Sequence, residues 1–161
     1  MIILGIDPGT AIVGYGFLNK TPNNNLEVID YGCIFTEPEF STAERLIEVE
    51  KQLTKLIKKY KPSVVGVEDL FFFKNVKTAV KVSQARGVIL ATVARLNIPI
   101  EEYTPLQIKQ AVTTYGRADK KQVQQMVKLL LNLEKIPKPD DAADALAAAI
   151  CCANSINFNI K

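Results

Sequence analysis

The sequence predicts an α/β domain built on a five-stranded mixed sheet flanked by helices, and three observations predict it. Three apolar strand patterns follow one another at the start of the chain with only short turns between them. Two further strand patterns are each preceded by a helical stretch, and helical periodicity then fills the rest of the chain. The resulting order, β-β-β-α-β-α-β-α-α-α, calls for an antiparallel meander followed by two strands parallel to its first member.

Taken in order, residues 1–7 form a buried strand that ends at Asp7, followed by the turn Asp7-Pro8-Gly9-Thr10. A second strand covers residues 12–19, and a third runs from Leu26 to Thr36 after the turn residues Asn23, Asn24 and Asn25. Ser41 with Glu44 three residues on makes a capping box. The helix it opens extends to Tyr60, with Leu46, Val49, Leu53, Leu56 and Ile57 on one face. Lys61-Pro62 stops it, and the β-branched run from Ser63 to Val67 leads to Glu68.

The stretch from Val76 to Leu96 is helical, with Lys74, Lys77 and Lys81 as a basic stripe at its start. Its second half is apolar nearly all round, as expected of a central core helix or of a subunit contact. Pro99 to Tyr103 is the fifth strand, and Thr104-Pro105 caps a helix over residues 105–114. Gly116 separates it from a helix over residues 119–132. A last helix opens near Pro139 and runs through an alanine-rich stretch to Asn154. No linker, repeat or low-complexity segment interrupts the pattern, so residues 1–161 read as a single domain.

Composition narrows the chemistry. With 48% hydrophobic and 23% charged residues among 161, the chain suits a globular core and neither a disordered nor a fibrous protein. Its apolar runs are too short to span a bilayer, and the opening strand meets Asp7 without a basic leader or cleavage site. Cys33, Cys151 and Cys152 are an odd number of thiols with two adjacent, which suits the reducing cytoplasm rather than a disulfide framework. The chain has no histidine, which excludes Ser-His-Asp and Cys-His nucleophilic sites and imidazole-bound zinc. Any enzymatic chemistry must then rest on carboxylates, lysines and hydroxyls, with or without a metal.

Charge is unevenly spread. Residues 74–128 hold ten Lys/Arg against Glu101, Glu102 and Asp119, an excess of seven, whereas the whole chain carries only +3. A basic middle beside an acidic remainder points to a polyanion-binding face. The acids fall at telling places. The strand at 1–7 and that at 63–67 end in Asp7 and Glu68, and as parallel neighbours they would present both carboxylates at one sheet edge. Asp141 and Asp144 lie three apart at the start of the last helix, on one side of it. Two carboxylates 4 Å apart repel by roughly 4 kcal/mol at an effective dielectric near 20. A hard divalent cation removes that repulsion, and all-oxygen ligation favours Mg²⁺ or Mn²⁺. Carboxylates holding two such ions beside a basic surface describe phosphodiester hydrolysis.

Four blocks carry a resemblance. Ile3-Leu4-Gly5-Ile6-Asp7-Pro8-Gly9, Val67-Glu68 with Phe71, Gln84-Ala85-Arg86-Gly87 and Asp141-Ala142-Ala143-Asp144-Ala145-Leu146 together resemble the RuvC family of Holliday junction resolvases, over nearly the whole chain. The resemblance implies a ribonuclease H-like fold and a homodimer that nicks opposing strands of a four-way DNA junction symmetrically with Mg²⁺, leaving 5′-phosphate ends. It implies Asp7, Glu68, Asp141 and Asp144 as catalytic and metal-binding acids, the Asp-Ala-Ala-Asp pattern selecting Asp141 over Asp140. Lys109 and Lys120 match the family's basic residues near the scissile strand, and Phe71 its aromatic wedge, with Phe72 and Phe73 left to core packing. Lys74, Lys77, Lys81, Arg86, Arg117 and Lys121 complete the expected DNA-binding set, and a branch-migration complex of the RuvA–RuvB type is the implied partner. The apolar half of the helix at 76–96 is the candidate subunit contact.

Other readings share some of these residues. Asp7-Pro8-Gly9-Thr10 also resembles the first phosphate loop of actin-like kinases and chaperone ATPases, but those close two such domains over a nucleotide and carry a second loop that is missing here. A ribonuclease H-like nuclease acting on RNA–DNA hybrids fits the carboxylates alone. So does a junction-binding protein without nuclease activity.

Overall fold

The computed structural model describes residues 1–69 and 76–156, with side chains in the second stretch from residue 79 onward. Strands β1 (Ile2–Asp7), β2 (Ile12–Lys20) and β3 (Leu26–Phe35) form the antiparallel meander. Strand β4 (Val64–Glu68) lies parallel to β1, and β5 (Ile100–Tyr103) parallel to β4, giving the sheet order β3-β2-β1-β4-β5. The mixed five-stranded sheet expected from the order of elements is therefore present.

Helices α1 (Thr42–Tyr60) and α2 (Val76–Arg95) cover one face; α3 (Pro105–Thr113), α4 (Lys120–Leu130) and α5 (Asp140–Ser155) cover the other. Local chemistry sets the helix starts. Ser41 with Glu44, Thr104 with Gln107, and Asp119 with Gln122 each form a reciprocal capping box, and Pro105 takes the first position of α3. Lys61 ends α1 in a left-handed conformation just before Pro62, where the helix cannot continue.

Alternation along the strands assigns the two cores. Leu4, Ile6, Val65 and Val67 pack with Val49, Leu53 and Ile57 of α1 and Ile89 and Val93 of α2. Ile3 and Val64 point the other way, against α5. Helix α5 is the central helix, buried along nearly its whole length from Ala142 to Ala153. Its alanines let it lie directly on the sheet, and the strands answer with glycine. A Cβ on Gly5 would stand 2.1 Å from the Ala145 carbonyl oxygen, and one on Gly14 would stand 2.0 Å from that of Asp141. At the far end of the helix, the nearly buried Lys20 donates through Nζ to the carbonyls of Ala153 (2.6 Å) and Ile156 (2.9 Å). A cation there satisfies terminal carbonyls and the negative end of the helix dipole together.

Helix α2 is a surface helix rather than the central one. Ala85, Ile89, Thr92 and Val93 are buried on its sheet-facing side, whereas Gly87, Ala91 and Ala94 face outward. Of the two alternatives for this apolar stretch, the core-helix alternative does not hold in the single chain. No helix among the described residues is long and apolar enough to cross a membrane. All three cysteines are thiols.

Candidate active site

The same alternation that sends Leu4 and Ile6 toward α1 sends Ile3, Gly5 and Asp7 toward α5, and likewise Val64, Gly66 and Glu68. Because Ile6 pairs with Val67 across the parallel ladder, the next residue of each strand, Asp7 and Glu68, comes out side by side at the carboxyl edge. Their carboxyls stand within hydrogen-bonding reach of each other. Gly14 faces Asp7 across the antiparallel ladder, and its missing side chain admits the Asp141 backbone. That close approach brings the start of α5, with Asp141 in its first turn and Asp144 one turn on, up to the strand ends.

Burial and mutual repulsion mark the four acids as one electrostatic unit. Asp7 is pushed up from 3.8 to about 8, by burial first and then by the charges of Glu68, Asp144 and Asp141. Glu68 is also raised, by burial and by Asp144, while the hydrogen bond with Asp7 and the charges of Lys109 and Lys120 pull it back. Asp144 is raised by burial against the opposing pull of Lys120. Lys120 Nζ lies 3.1 Å from an Asp144 oxygen and 3.6 Å from one of Asp140. Burial disfavours the Lys120 ammonium, but these carboxylates outweigh it and raise its pKa. Glu68, Lys109, Lys120 and Asp144 line a cleft of about 210 Å³.

Asp140 sits at the margin of this unit, 3.6 Å from Lys120 Nζ and adding its charge to the field at Asp144. Its side chain is 41% exposed and held 2.6 Å from Lys138 Nζ, which draws its carboxyl below the usual range. Asp141, by contrast, contributes to the field at Asp7.

The donor chemistry fits a hard divalent cation: four carboxylates, three of them raised by burial and by one another, with no nitrogen or sulfur in the set. Among the described residues no three such groups stand close enough to enclose an ion as they lie. Asp7 and Glu68 face each other, and Asp144 leans on the Lys120 ammonium. A divalent cation would offset this negative charge more fully than the ammonium does.

Arg86 lies close to this edge but faces inward. Its side chain is 16% exposed; one guanidinium nitrogen contacts Asp69 at 3.0 Å and also Glu102, and Nε donates to the Glu68 main-chain oxygen at 3.4 Å. It ties α2 to the ends of β4 and β5. Lys81, Arg117 and Lys121 are exposed. Lys77 belongs to α2, but its side chain lies outside the described residues, as do Phe71, Phe72, Phe73 and Lys74. Sequence reasoning did not single out Gly14, although Gly14-x-Gly16 inside a strand is a signal of close backbone approach. Nor did it place Cys33, whose thiol is pushed up to about 11 by burial and by the nearby Asp141 and Asp7.

The family model described as Crossover junction endodeoxyribonuclease RuvC matches residues 3–152. The chain is 57% identical over 158 residues to the Crossover junction endodeoxyribonuclease RuvC of Alkaliphilus oremlandii (strain OhILAs), covering 98% of this chain and 96% of the relative. It is 58% identical over 154 residues to that of Petrotoga mobilis (strain DSM 10674 / SJ95), covering 96% and 94%. Its fold is similar to that in a solved structure, "T. thermophilus RuvC in complex with Holliday junction substrate", with a TM-score of 0.84 and 29% identity over 94% of this chain and 92% of that one.

Proposed function

The chain belongs to the RuvC family of crossover junction endodeoxyribonucleases, and on that premise we propose that it resolves four-way DNA junctions in recombination and repair. It acts by paired symmetric nicks that leave 5′-phosphate ends. The observation that carries this reading is the convergence of Asp7, Glu68, Asp141 and Asp144 on one sheet edge, with Lys109 and Lys120 beside them. The sharing of one sheet by all described strands supports treating residues 1–161 as a single nuclease domain.

Asp7, Glu68, Asp141 and Asp144 would hold the metal, in our reading two Mg²⁺ per subunit with Mn²⁺ able to substitute. When bound, these ions supply Lewis acidity that activates water and steadies the departing oxygen. The rest is the work of the chain. Asp7 and Glu68 are fixed by strand backbone rather than by loops, so their oxygens are oriented in advance. Lys120 stays protonated beside Asp144 and, with Lys109, sets positive charge in the cleft where a scissile phosphate would sit. Lys74, Lys77, Lys81, Arg117 and Lys121 would supply salt-sensitive phosphate contacts, and Phe71 would stack on an unpaired base at the crossover. For Arg86 the geometry supports a structural tie in place of a phosphate contact.

A junction has approximate two-fold symmetry, so a two-fold dimer would bring one site to each of two opposing strands. The outward face of α2 is the surface for it. A branch-migration complex of the RuvA–RuvB type and a cytoplasmic location complete the reading. The test is a gel that compares a synthetic four-way junction, plain duplex and RNA–DNA hybrid, each with Mg²⁺ and with chelator. Paired nicks confined to the junction with Mg²⁺ are expected, and Asp7→Asn should abolish nicking while leaving junction binding intact. Cutting of the hybrid alone would move the protein to a ribonuclease class. Junction binding without nicking in any lane would make it a binding protein.

A further inference from the structure

The first turn of α4 separates two recesses. On one side, Lys120 and Val123 face the cleft that also holds Glu68 and Asp144. On the other lies a recess of about 420 Å³ between the C-terminus of α3 and α4, within the range of small-ligand sites, roughly 300–1,000 Å³. Tyr115 stands at this second recess, 58% exposed, with Ala118 and Met126 as an apolar floor, Lys121, Gln122 and Gln125 around the rim, and Asp119 beside them, its carboxylate accepting from the Gln122 N–H.

An exposed tyrosine on a surface loop often has no role, but this one is held in place. Thr114 ends α3 in a left-handed conformation, its N–H bonded to the Gln110 carbonyl. Thr113 Oγ1 accepts from the Tyr115 N–H at 3.2 Å, and it lies 2.8 Å from both the Lys109 and Tyr115 carbonyl oxygens, either of which can take its one proton. Beyond the loop, the reciprocal Asp119–Gln122 cap fixes the start of α4. The aromatic side chain therefore projects from a backbone anchored on both sides, so little ordering remains to be done on binding.

We propose that this recess receives a nucleobase of the strand being cut, stacked on Tyr115. The inference rests on the proposed function and adds a base-contacting residue to it. Three features select a base over other occupants. The aromatic ring and apolar floor suit a flat π surface. The side-chain amide of Gln125, and the NH₂ that Gln122 keeps beside the cap its Oε1 makes with the Asp119 N–H, match the donors and acceptors on base edges. Lys121 beside the recess and Lys120 beside the cleft are consecutive residues, so a strand whose phosphate lies at Lys120 passes directly over α4 to the recess with its backbone still next to a cation. The base is thus one close to the scissile phosphate, and its identity would bias where the strand is cut.

The test combines Tyr115→Ala and Tyr115→Phe with junctions that carry a single abasic nucleotide at each position within about three of the scissile phosphate, read by single-turnover nicking with Mg²⁺. Tyr115→Ala should slow nicking roughly 5- to 150-fold, the range that alanine substitution gives for a base stacked on an aromatic side chain, and Tyr115→Phe should restore it. One abasic position should slow the wild type by a similar factor and leave Tyr115→Ala no slower than before, because both changes remove the same contact. Thermal melting of the two variants checks that the fold is intact. Effects of Tyr115→Ala and of every abasic position that simply multiply, or a Tyr115→Ala chain as fast as the wild type, would overturn the inference while leaving the junction nuclease reading standing. A wild type that fails to nick junctions removes that reading first and this inference with it.

Discussion

At the scale of single residues, Asp7 carries the sharpest prediction. Its folded-state pKa of about 8 lies above the unfolded value near 3.8, so the folded chain binds that proton more tightly than the unfolded chain does. The stability it lends is fully present below about pH 4 and is lost as pH rises through the folded value. The metal-free protein should therefore melt several degrees lower at pH 8 than at pH 5. Added Mg²⁺ should raise the melting temperature more at pH 8, where the proton no longer competes; calorimetry on wild type and Asp7→Asn checks this, and the variant should lose most of both effects. Arg86 offers a second residue-scale outcome. Its partners are nearly half exposed, so breaking the tie should cost no more than about 1–2 kcal/mol rather than the cost of a fully buried pair. Arg86→Met should show that loss in urea and slow nicking, yet leave the slope of junction affinity against salt unchanged. A phosphate contact would lower that slope by about one. Asp7 and Glu68 were legible in the sequence because each stands where an apolar run ends. The engagement of Arg86 was not, because Asp69 and Glu102 lie 17 and 16 positions away and meet it only through the fold.

At the scale of elements, the site depends on how closely α5 lies on the sheet. The capping boxes at Ser41, Thr104 and Asp119 are local patterns, and Ser41 and Thr104 marked their helices in the sequence for that reason. The central position of α5 is not local. A helix of alanines has no large apolar stripe for periodicity to detect, and its burial follows from the glycines of strands far away in the chain. Gly14 is the most exacting of these, since a side chain there meets the backbone oxygen of Asp141, which cannot rotate aside. Gly14→Ala should force the start of α5 outward, costing up to about 3 kcal/mol as overpacking does. A displacement of about 1 Å at the acids is expected to slow nicking on the order of 100-fold. Urea unfolding and single-turnover nicking measure the two parts separately. A variant that melts like the wild type and cuts at full rate would show that the approach of α5 to β2 is not what positions Asp141 and Asp144.

At the scale of the whole molecule, the question is what uses the outward face of α2. Gly87 sits in the middle of this helix, where glycine costs roughly 1 kcal/mol relative to alanine, and a Cβ there would meet nothing within 4 Å among the described residues. Packing among the described residues therefore does not account for it. With Ala91 and Ala94 it makes a low, apolar strip on the outside of a helix whose other side is core. Small residues let a second backbone come close, and a two-fold contact would place the strip against its own copy. The consequence is a difference between nicking and resolution. A monomer with an intact carboxylate cluster can cut one strand, whereas two ligatable duplexes need both cuts before the junction is released. Ala91→Glu puts a charge on the strip without touching the subunit core, and in a two-fold contact the two charges would lie near each other. Sedimentation should show a dimeric wild type and, at the same concentration, a monomeric variant. On a cruciform plasmid, where paired cuts give linear product and single cuts give nicked circles, the same variant should shift the products toward nicked circles. If Ala91→Glu sediments and resolves like the wild type, the subunit contact lies elsewhere on the surface and Gly87 needs another cause.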